Sequence, residues 1–91
     1  DYVERITSGE FPVVEYVLSE GGISVYGLVT HEDKDWCLVF FPTTPVPFTG
    51  YTLKIDKKRL KKTDMNVQDL FRIVVSFGLN VPDKQTKKPS I

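Results

Sequence analysis

Side chains that commonly carry chemistry are scarce in this chain. Of 91 residues, one is a cysteine, Cys37, and one is a histidine, His31. A single cysteine excludes an internal disulfide, and a lone histidine without a second histidine or cysteine nearby has too few ligands for a closed zinc site. We expect His31 to lie in a solvated turn and Cys37, inside the apolar run 36–41, to be a buried, inert thiol. The sequence therefore predicts no metal site and no cofactor.

The chain also lacks an excess of positive or negative charge, and it lacks long apolar runs. The 12 basic residues balance 12 acidic ones, so no overall field attracts nucleic acid or an anionic membrane. No apolar run reaches the roughly 18 to 20 residues that span a bilayer, and nothing is typical of a signal peptide. We therefore expect this chain to be soluble as given. Its length predicts one domain, and its start at Asp1 without a methionine suggests a fragment of a longer protein.

What the chain does have is a proline-rich stretch, with three prolines within residues 42–47. Proline fixes φ and lacks an N–H donor, so this stretch is stiff and extended and cannot lie in the middle of a sheet. Threonine hydroxyls can bond locally here, and a glycine allows the turn into the next strand. We predict a rigid, ordered crossing between two strands, with a structural motif formed by Pro42, Thr43, Thr44, Pro45, Pro47, Thr49 and Gly50.

The flanking patterns predict strands. Runs rich in β-branched and aromatic residues separated by turn signals place them over 13–18, 23–30, 36–41 and 51–55, with a short charged edge strand over 60–63. The unbroken apolar run 36–41 predicts a central strand covered on both faces. In the alternating run, Tyr51, Leu53 and Ile55 are expected to point inward. Residues 1–10 leave room for one or two helical turns.

A C-terminal helix has the strongest signal. Asn66 is a good N-cap, and Gly78 is placed for a left-handed cap. The stripe expected to face the sheet is Val67, Leu70, Phe71, Val74 and Val75. Leu79 and Val81 are expected to pack beneath it. The fold class is therefore α+β: a curled, mostly antiparallel, barrel-like sheet of about five strands with one C-terminal amphipathic helix, over 1–82, followed by a disordered tail over 83–91.

The proline-rich stretch belongs to a longer motif. It comprises Val-Phe-Phe-Pro-Thr-Thr-Pro over 39–45, Pro47, Thr-Gly-Tyr over 49–51, Leu53, Asp-Met over 64–65 and the helix pattern over 67–78. This motif resembles that of a family of unknown function, widespread in bacteria, whose plant members are the LIKE COV membrane proteins. The resemblance covers roughly residues 13–82. The departures are Val46 for the family's Asn, Phe48 for its Thr, Thr49 for its Ser and Phe77 for its first Gly.

The resemblance implies an integral membrane protein with N-terminal transmembrane helices that carries a soluble β-rich domain like this one. The bacterial inner membrane is the setting it favours. It implies no activity, because the family has no established one. Where the family has polar residues in the motif, this chain has Val46 and Phe48, while the proline scaffold is kept.

Two surfaces are candidate binding sites. Val46 and Phe48 either fold back onto the domain or form a docking spot for another protein or a second copy. The basic cluster, which comprises Lys57, Lys58, Arg59, Lys61 and Lys62, is either a solvated turn and edge strand or a contact for anionic lipid headgroups. Nucleic acid is the least favoured partner of this cluster, because only one aromatic residue, Tyr51, is placed near it for base stacking.

No catalytic constellation is present, since the serines have no partner histidine at a known spacing and no nucleophile-elbow motif. The sequence therefore predicts a non-catalytic domain of a membrane protein that acts as a protein-interaction or assembly module. The alternative is a small β-barrel that binds a ligand, anionic headgroups or nucleic acid through the basic cluster.

Overall fold

The computed structural model describes residues 1–20 and 22–82. Within these residues the elements follow in the order helix α1 (Tyr2–Thr7), strands β1 (Val13–Val17), β2 (Ser24–Glu32), β3 (Trp36–Pro42) and β4 (Gly50–Asp56), a 3-10 link (Lys57–Arg59), strand β5 (Leu60–Lys62) and helix α2 (Val67–Val75). The short N-terminal helix is confirmed. The tail predicted over 83–91 lies outside the described residues.

In the described part of the chain the strands form one antiparallel sheet in the order β4-β3-β2-β1-β5. The α+β prediction is confirmed, but the sheet is open, because β4 and β5 are edges that do not pair with each other. A closed barrel-like form is therefore not confirmed. Strand β3 lies inside the sheet and pairs with β2 and β4, as predicted for a central strand, although the middle one of the five strands is β2. β2 also runs to Glu32, beyond the predicted end at residue 30, with an irregularity between Val29 and His31.

The 3-10 link forces the sheet to curl. Four strand spacings separate β4 from β5, which is about 19 Å across a flat sheet. The chain passes from Asp56, the end of β4, to Leu60, the start of β5, in four residue steps, which reach at most about 14 Å when fully extended. The two edges must therefore approach each other at this end, and the sheet bends around an interior.

That interior holds the inner cluster, which the strands alone supply. Its buried members are Val14, Val29, Cys37, Val39, Phe41 and Ile55, with Tyr16, Val25 and Leu60 packed against them. Gly27 lies against it so closely that a Cβ there would be 2.6 Å from the Val39 side chain. The prediction that Cys37 is buried is confirmed.

Strand β4 departs from the expected inward pattern. Ile55 is buried, but Tyr51 and Leu53, on the same face, are 67% and 44% exposed. The alternation correctly predicts the strand and its faces. The alternation does not reveal that β4 is an edge strand. At this edge the inner cluster does not extend far enough to cover Tyr51 and Leu53.

Helix α2 covers the other face of the sheet through the helix-side cluster. Its buried members are Val13, Leu28, Val67, Leu70 and Val74, with Ile6, Phe11, Tyr26, Phe40, Met65 and Phe71 packed against them. The predicted cap is confirmed as a reciprocal box, in which the Asn66 side chain accepts from the Asp69 amide at 2.9 Å and the Asp69 carboxylate accepts from the Asn66 amide at 3.2 Å. Val75 and Leu79 are exposed instead of packed, because α2 ends at Val75 and the chain turns away.

None of the helices in the described ranges has the length and apolar character required to cross a lipid bilayer.

The turn that ends α2 places a phenylalanine in a glycine position. Phe77 has φ +59° and Gly78 has φ +82°. The Gly78 amide donates to the Ile73 carbonyl at 2.8 Å and the Phe77 amide to the Val74 carbonyl at 3.4 Å, which is the Schellman pattern. The first left-handed residue is therefore Phe77, one position before the predicted cap. A side chain at this φ costs about 1 kcal/mol or more relative to glycine.

We expect Phe77→Gly to raise the free energy of unfolding by up to about 1 kcal/mol, because it relieves the left-handed strain. The Phe77 ring is 70% exposed, so its removal loses little buried surface. Urea denaturation measures the change. Phe77→Ala is the matched control, since it removes the ring and keeps the strain. An equal gain in both variants would mean that the backbone conformation is not the cause.

Candidate interaction site

Two threonines close the base of the crossing, residues 42–50. The Thr43 amide donates to the Thr49 carbonyl oxygen at 2.9 Å, and the Thr43 hydroxyl donates to the same oxygen at 3.1 Å. The Thr49 amide and hydroxyl donate to the Val46 carbonyl at 3.2 and 3.0 Å. The peptide bond between Thr44 and Pro45 is cis. The crossing is therefore ordered by its own hydrogen bonds, and it joins two neighbouring strands as predicted.

Gly50 is required where the crossing enters β4, for a reason the sequence does not show. It lies opposite Pro42 in the β3–β4 register. A Cβ at this position would overlap the carbonyl oxygen of Phe41. Close approach of two backbones, rather than a tight turn, explains the glycine at this position.

The two predicted contact residues of the crossing differ in how they are held. Phe48 packs edge-to-face on Phe71 of α2, with the ring centroids 5.5 Å apart, yet it remains 50% exposed. Val46 is 49% exposed. The crossing thus folds partly onto the helix and still presents apolar surface. Of the two alternatives raised from the sequence, folding back onto the domain holds in part for Phe48, and the docking spot stays a prediction.

Helix α1 extends this apolar surface. A groove of about 240 Å³ lies between α1 and the crossing, and its lining residues are Tyr2, Val3, Ile6, Thr30, Phe40, Phe48 and Thr52. Sequence reasoning did not connect α1 with the crossing, because the two are distant in the chain. The only sequence signal was the apolar content of the short N-terminal helix.

The basic cluster does not act as one free positive patch. Lys57 forms an ion pair with Glu32 at 2.7 Å. The Arg59 guanidinium donates to the Val17 carbonyl at 3.4 Å and lies 5.5 Å from the Tyr16 ring centroid. Lys58, Lys61 and Lys62 are exposed. Lys57 and Arg59 therefore bind the 3-10 link to strands β2 and β1, and the other three residues of the basic cluster present charge to solvent.

A cavity of about 360 Å³ opens beside these lysines. Its lining residues are Pro12, Val13, Val14, Val29, Glu32, Cys37, Lys57, Leu60, Lys61, Lys62, Thr63 and Met65. The Cys37 thiol has a raised pKa, because burial disfavours the thiolate and the nearby Glu32 carboxylate adds to this effect. The thiol is thus a weak nucleophile. No sequence pattern indicated this cavity, since it depends on how the 3-10 link crosses the sheet.

His31 is not in a solvated turn. It lies in β2, exposed, and its ring centroid is 5.5 Å from that of Trp36 at the start of β3. The prediction was wrong because the strand continues past its apolar part. Across residues 1–20 and 22–82, no group of three or more His, Cys, Asp and Glu side chains could hold a metal ion.

Comparison with known proteins adds no relative: no family model, no curated protein and no solved structure matches this chain. The likeness to the LIKE COV family thus rests on the motif residues quoted above.

The ion pair between Lys57 and Glu32, which both line the cavity, predicts how the Glu32 carboxyl group titrates. The hydrogen bond from Lys57, and then its charge, hold the pKa of Glu32 below its ordinary value of 4.5. A depressed carboxyl pKa contributes stability that is present above 4.5 and is lost as the pH falls through the lower, folded-state pKa. The pKa of Lys57 is raised, so its contribution is lost only as the pH rises above 10.5.

We expect Lys57→Gln to raise the Glu32 pKa toward its ordinary value, as measured by NMR titration of the carboxyl carbon. In urea denaturation, wild type should exceed this variant in stability near pH 7 and lose that advantage below pH 4. Lys58→Gln is the control and should leave the Glu32 pKa unchanged. An unaltered titration in Lys57→Gln would show that the ion pair does not form in solution.

Proposed function

We propose that this chain is a non-catalytic interaction or assembly module of an integral membrane protein, and that the crossing and its groove are the contact surface. The observation that carries the proposal is the combination of an ordered backbone with exposed apolar side chains at Val46 and Phe48. A surface of fixed shape loses little conformational entropy on binding, which favours specific contact. The expected partner is another membrane or soluble protein, or a second copy.

The adjoining helix α1 supports this role. Tyr2 is 84% exposed and lines the groove beside Phe48. Tyrosine and other aromatic side chains are enriched where interfaces contribute most binding energy. A partner side chain in the groove would contact α1 and the crossing together. The attachment to a membrane, with the bacterial inner membrane favoured, comes from the motif resemblance and is part of the proposal.

The test is the double substitution Val46→Asp and Phe48→Asp in the full-length protein. We expect loss of partners recovered by pull-down, or a change of oligomeric state, because two charges would be placed in the contact. The control is Leu18→Asp with Ile23→Asp, two comparably exposed apolar residues that flank the β1–β2 turn.

Circular dichroism must show both double variants folded, since Phe48 also packs on Phe71. If the crossing variant is folded and keeps every partner and the same oligomeric state, the contact surface lies elsewhere and the proposal is wrong.

A second candidate function is favoured by one observation, the cavity beside Lys57, Lys61 and Lys62. Its lining combines the apolar side chains of Val14, Val29 and Leu60 with cations. Lys61 and Lys62 are exposed, while Lys57 is paired with Glu32. That combination suits an anionic amphiphile, with the chain in the cavity and the headgroup on the lysines. This version of the alternative uses the basic cluster for a lipid-like ligand rather than for nucleic acid.

Decanoate is a suitable probe of this second function. We expect it to shift the NMR signals of the Val14 and Val29 methyl groups, and we expect Lys61→Gln with Lys62→Gln to weaken the effect. Decyltrimethylammonium, with the same chain and opposite charge, is the control. Equal shifts with both amphiphiles would show that the lysines do not bind the headgroup. A salt-sensitive affinity for single-stranded oligonucleotides would favour nucleic acid as the ligand instead.

A further inference from the structure

Strand β4 presents a long open edge. It pairs with β3 on one side, and its other side faces no strand of the described chain. Six of its seven residues are exposed, and none is proline. The backbone N–H and C=O groups that point away from β3 are therefore a template for one more strand.

The usual protection of an edge is weak at β4. The other edge, β5, has three residues, of which two are exposed lysines. β4 is longer and has one lysine, Lys54. The Lys54 ammonium lies 4.8 Å from the Trp36 ring centroid, so it interacts with its own sheet. Short length and outward charge keep edges from pairing, and β5 has both. β4 is longer, and its two charged side chains interact with their own chain: Lys54 with Trp36, and Asp56 with the Lys58 amide at 2.9 Å.

The inner face of β4 also carries uncovered apolar side chains. Tyr51 and Leu53 continue the line of the buried Ile55 and are largely exposed. An added strand with apolar side chains at matching positions would extend the inner cluster over them. The occupant must therefore be an extended strand with apolar residues at alternate positions.

We propose that β4 pairs with β4 of a second copy of this chain, antiparallel, around a two-fold axis at Leu53. This interface goes beyond the proposed function, because it uses the sheet edge and not the crossing. A two-fold axis perpendicular to the sheet sets one residue opposite its own copy, and the flanking residues pair symmetrically. The choice of axis residue therefore fixes every pair across the interface.

The axis at Leu53 gives the best pairs. It sets Leu53 opposite Leu53, Tyr51 opposite Ile55, Thr52 opposite Lys54 and Gly50 opposite Asp56, so that all seven residues pair. No like charges face each other, and the apolar residues of the inner face meet. An axis at Lys54 would place two ammonium groups directly opposite, which is unfavourable. An axis at Thr52 would leave both Ile55 and Asp56 without partners in the strand pair.

Self-complementarity is the reason to choose a second copy over an unrelated strand. β4 itself has the apolar alternation that its own edge requires, and it is present at equal concentration wherever the chain is present. Addition of a strand from another protein is the competing outcome. It would leave this chain monomeric on its own.

Analytical ultracentrifugation of the 91-residue chain tests the proposal. We expect a concentration-dependent dimer, and we expect Leu53→Lys to raise its Kd at least about tenfold, because two ammonium groups then meet on the axis. Leu53 is 44% exposed in the single chain, so the substitution is compatible with folding. Ile23→Lys, at an exposed site in the β1–β2 turn, is the matched control and should leave the Kd unchanged.

Cysteine crosslinking tests the register. In a Cys37→Ala background, Leu53→Cys should form an intermolecular disulfide on mild oxidation faster than Lys54→Cys, because only residue 53 faces its own copy within the Cα separation a disulfide needs. A chain that stays monomeric at millimolar concentration overturns the proposal, and so does equal crosslinking at 53 and 54. The crossing variant with Val46→Asp and Phe48→Asp keeps the β4 edge, so a dimer that survives in it separates this interface from the proposed function.

Discussion

The short link between the two edge strands is the constraint on which this structure depends. Because β4 reaches β5 through only Lys57–Arg59, the sheet cannot lie flat, and its bend creates an interior that strand side chains fill. The ion pair of Lys57 with Glu32 and the hydrogen bond from Arg59 to Val17 hold the two ends of the link. A basic segment that looks like a recognition surface in the sequence thus has a structural role.

The same bend separates the two faces of the domain. Among the described residues, strand side chains pack the inner face. The other face is covered by α2, which begins at a capping box and ends at a left-handed turn. The crossing lies beside α2, where Phe48 meets Phe71. Its shape is set by bonds between Thr43, Val46 and Thr49, so the surface it presents does not depend on a partner. Despite the bend, β4 remains an edge of the sheet in the described part of the chain.

Much of this could be predicted because the signals are local. The alternation in β2 and β4, the proline-rich break after β3 and the Asn66 cap each depend on neighbouring residues, and each prediction was close. The predictions were wrong where a residue's environment depends on segments that are distant in the sequence. Tyr51 and Leu53 have the pattern of inward residues, but their exposure follows from the position of β4 at an edge. The cavity near Cys37 and the groove at Tyr2 bring together segments that no local pattern relates.

Amide hydrogen exchange along residues 50–56, measured by NMR on a dilute, monomeric sample, tests most directly whether the sheet curls yet stays open. We expect alternation along β4: amides that bond to β3 exchange slowly, and those between them exchange about as fast as loop amides. Slow exchange at every amide of β4 in the monomer would contradict it, because the outer edge would then be paired within the chain and the sheet would be closed.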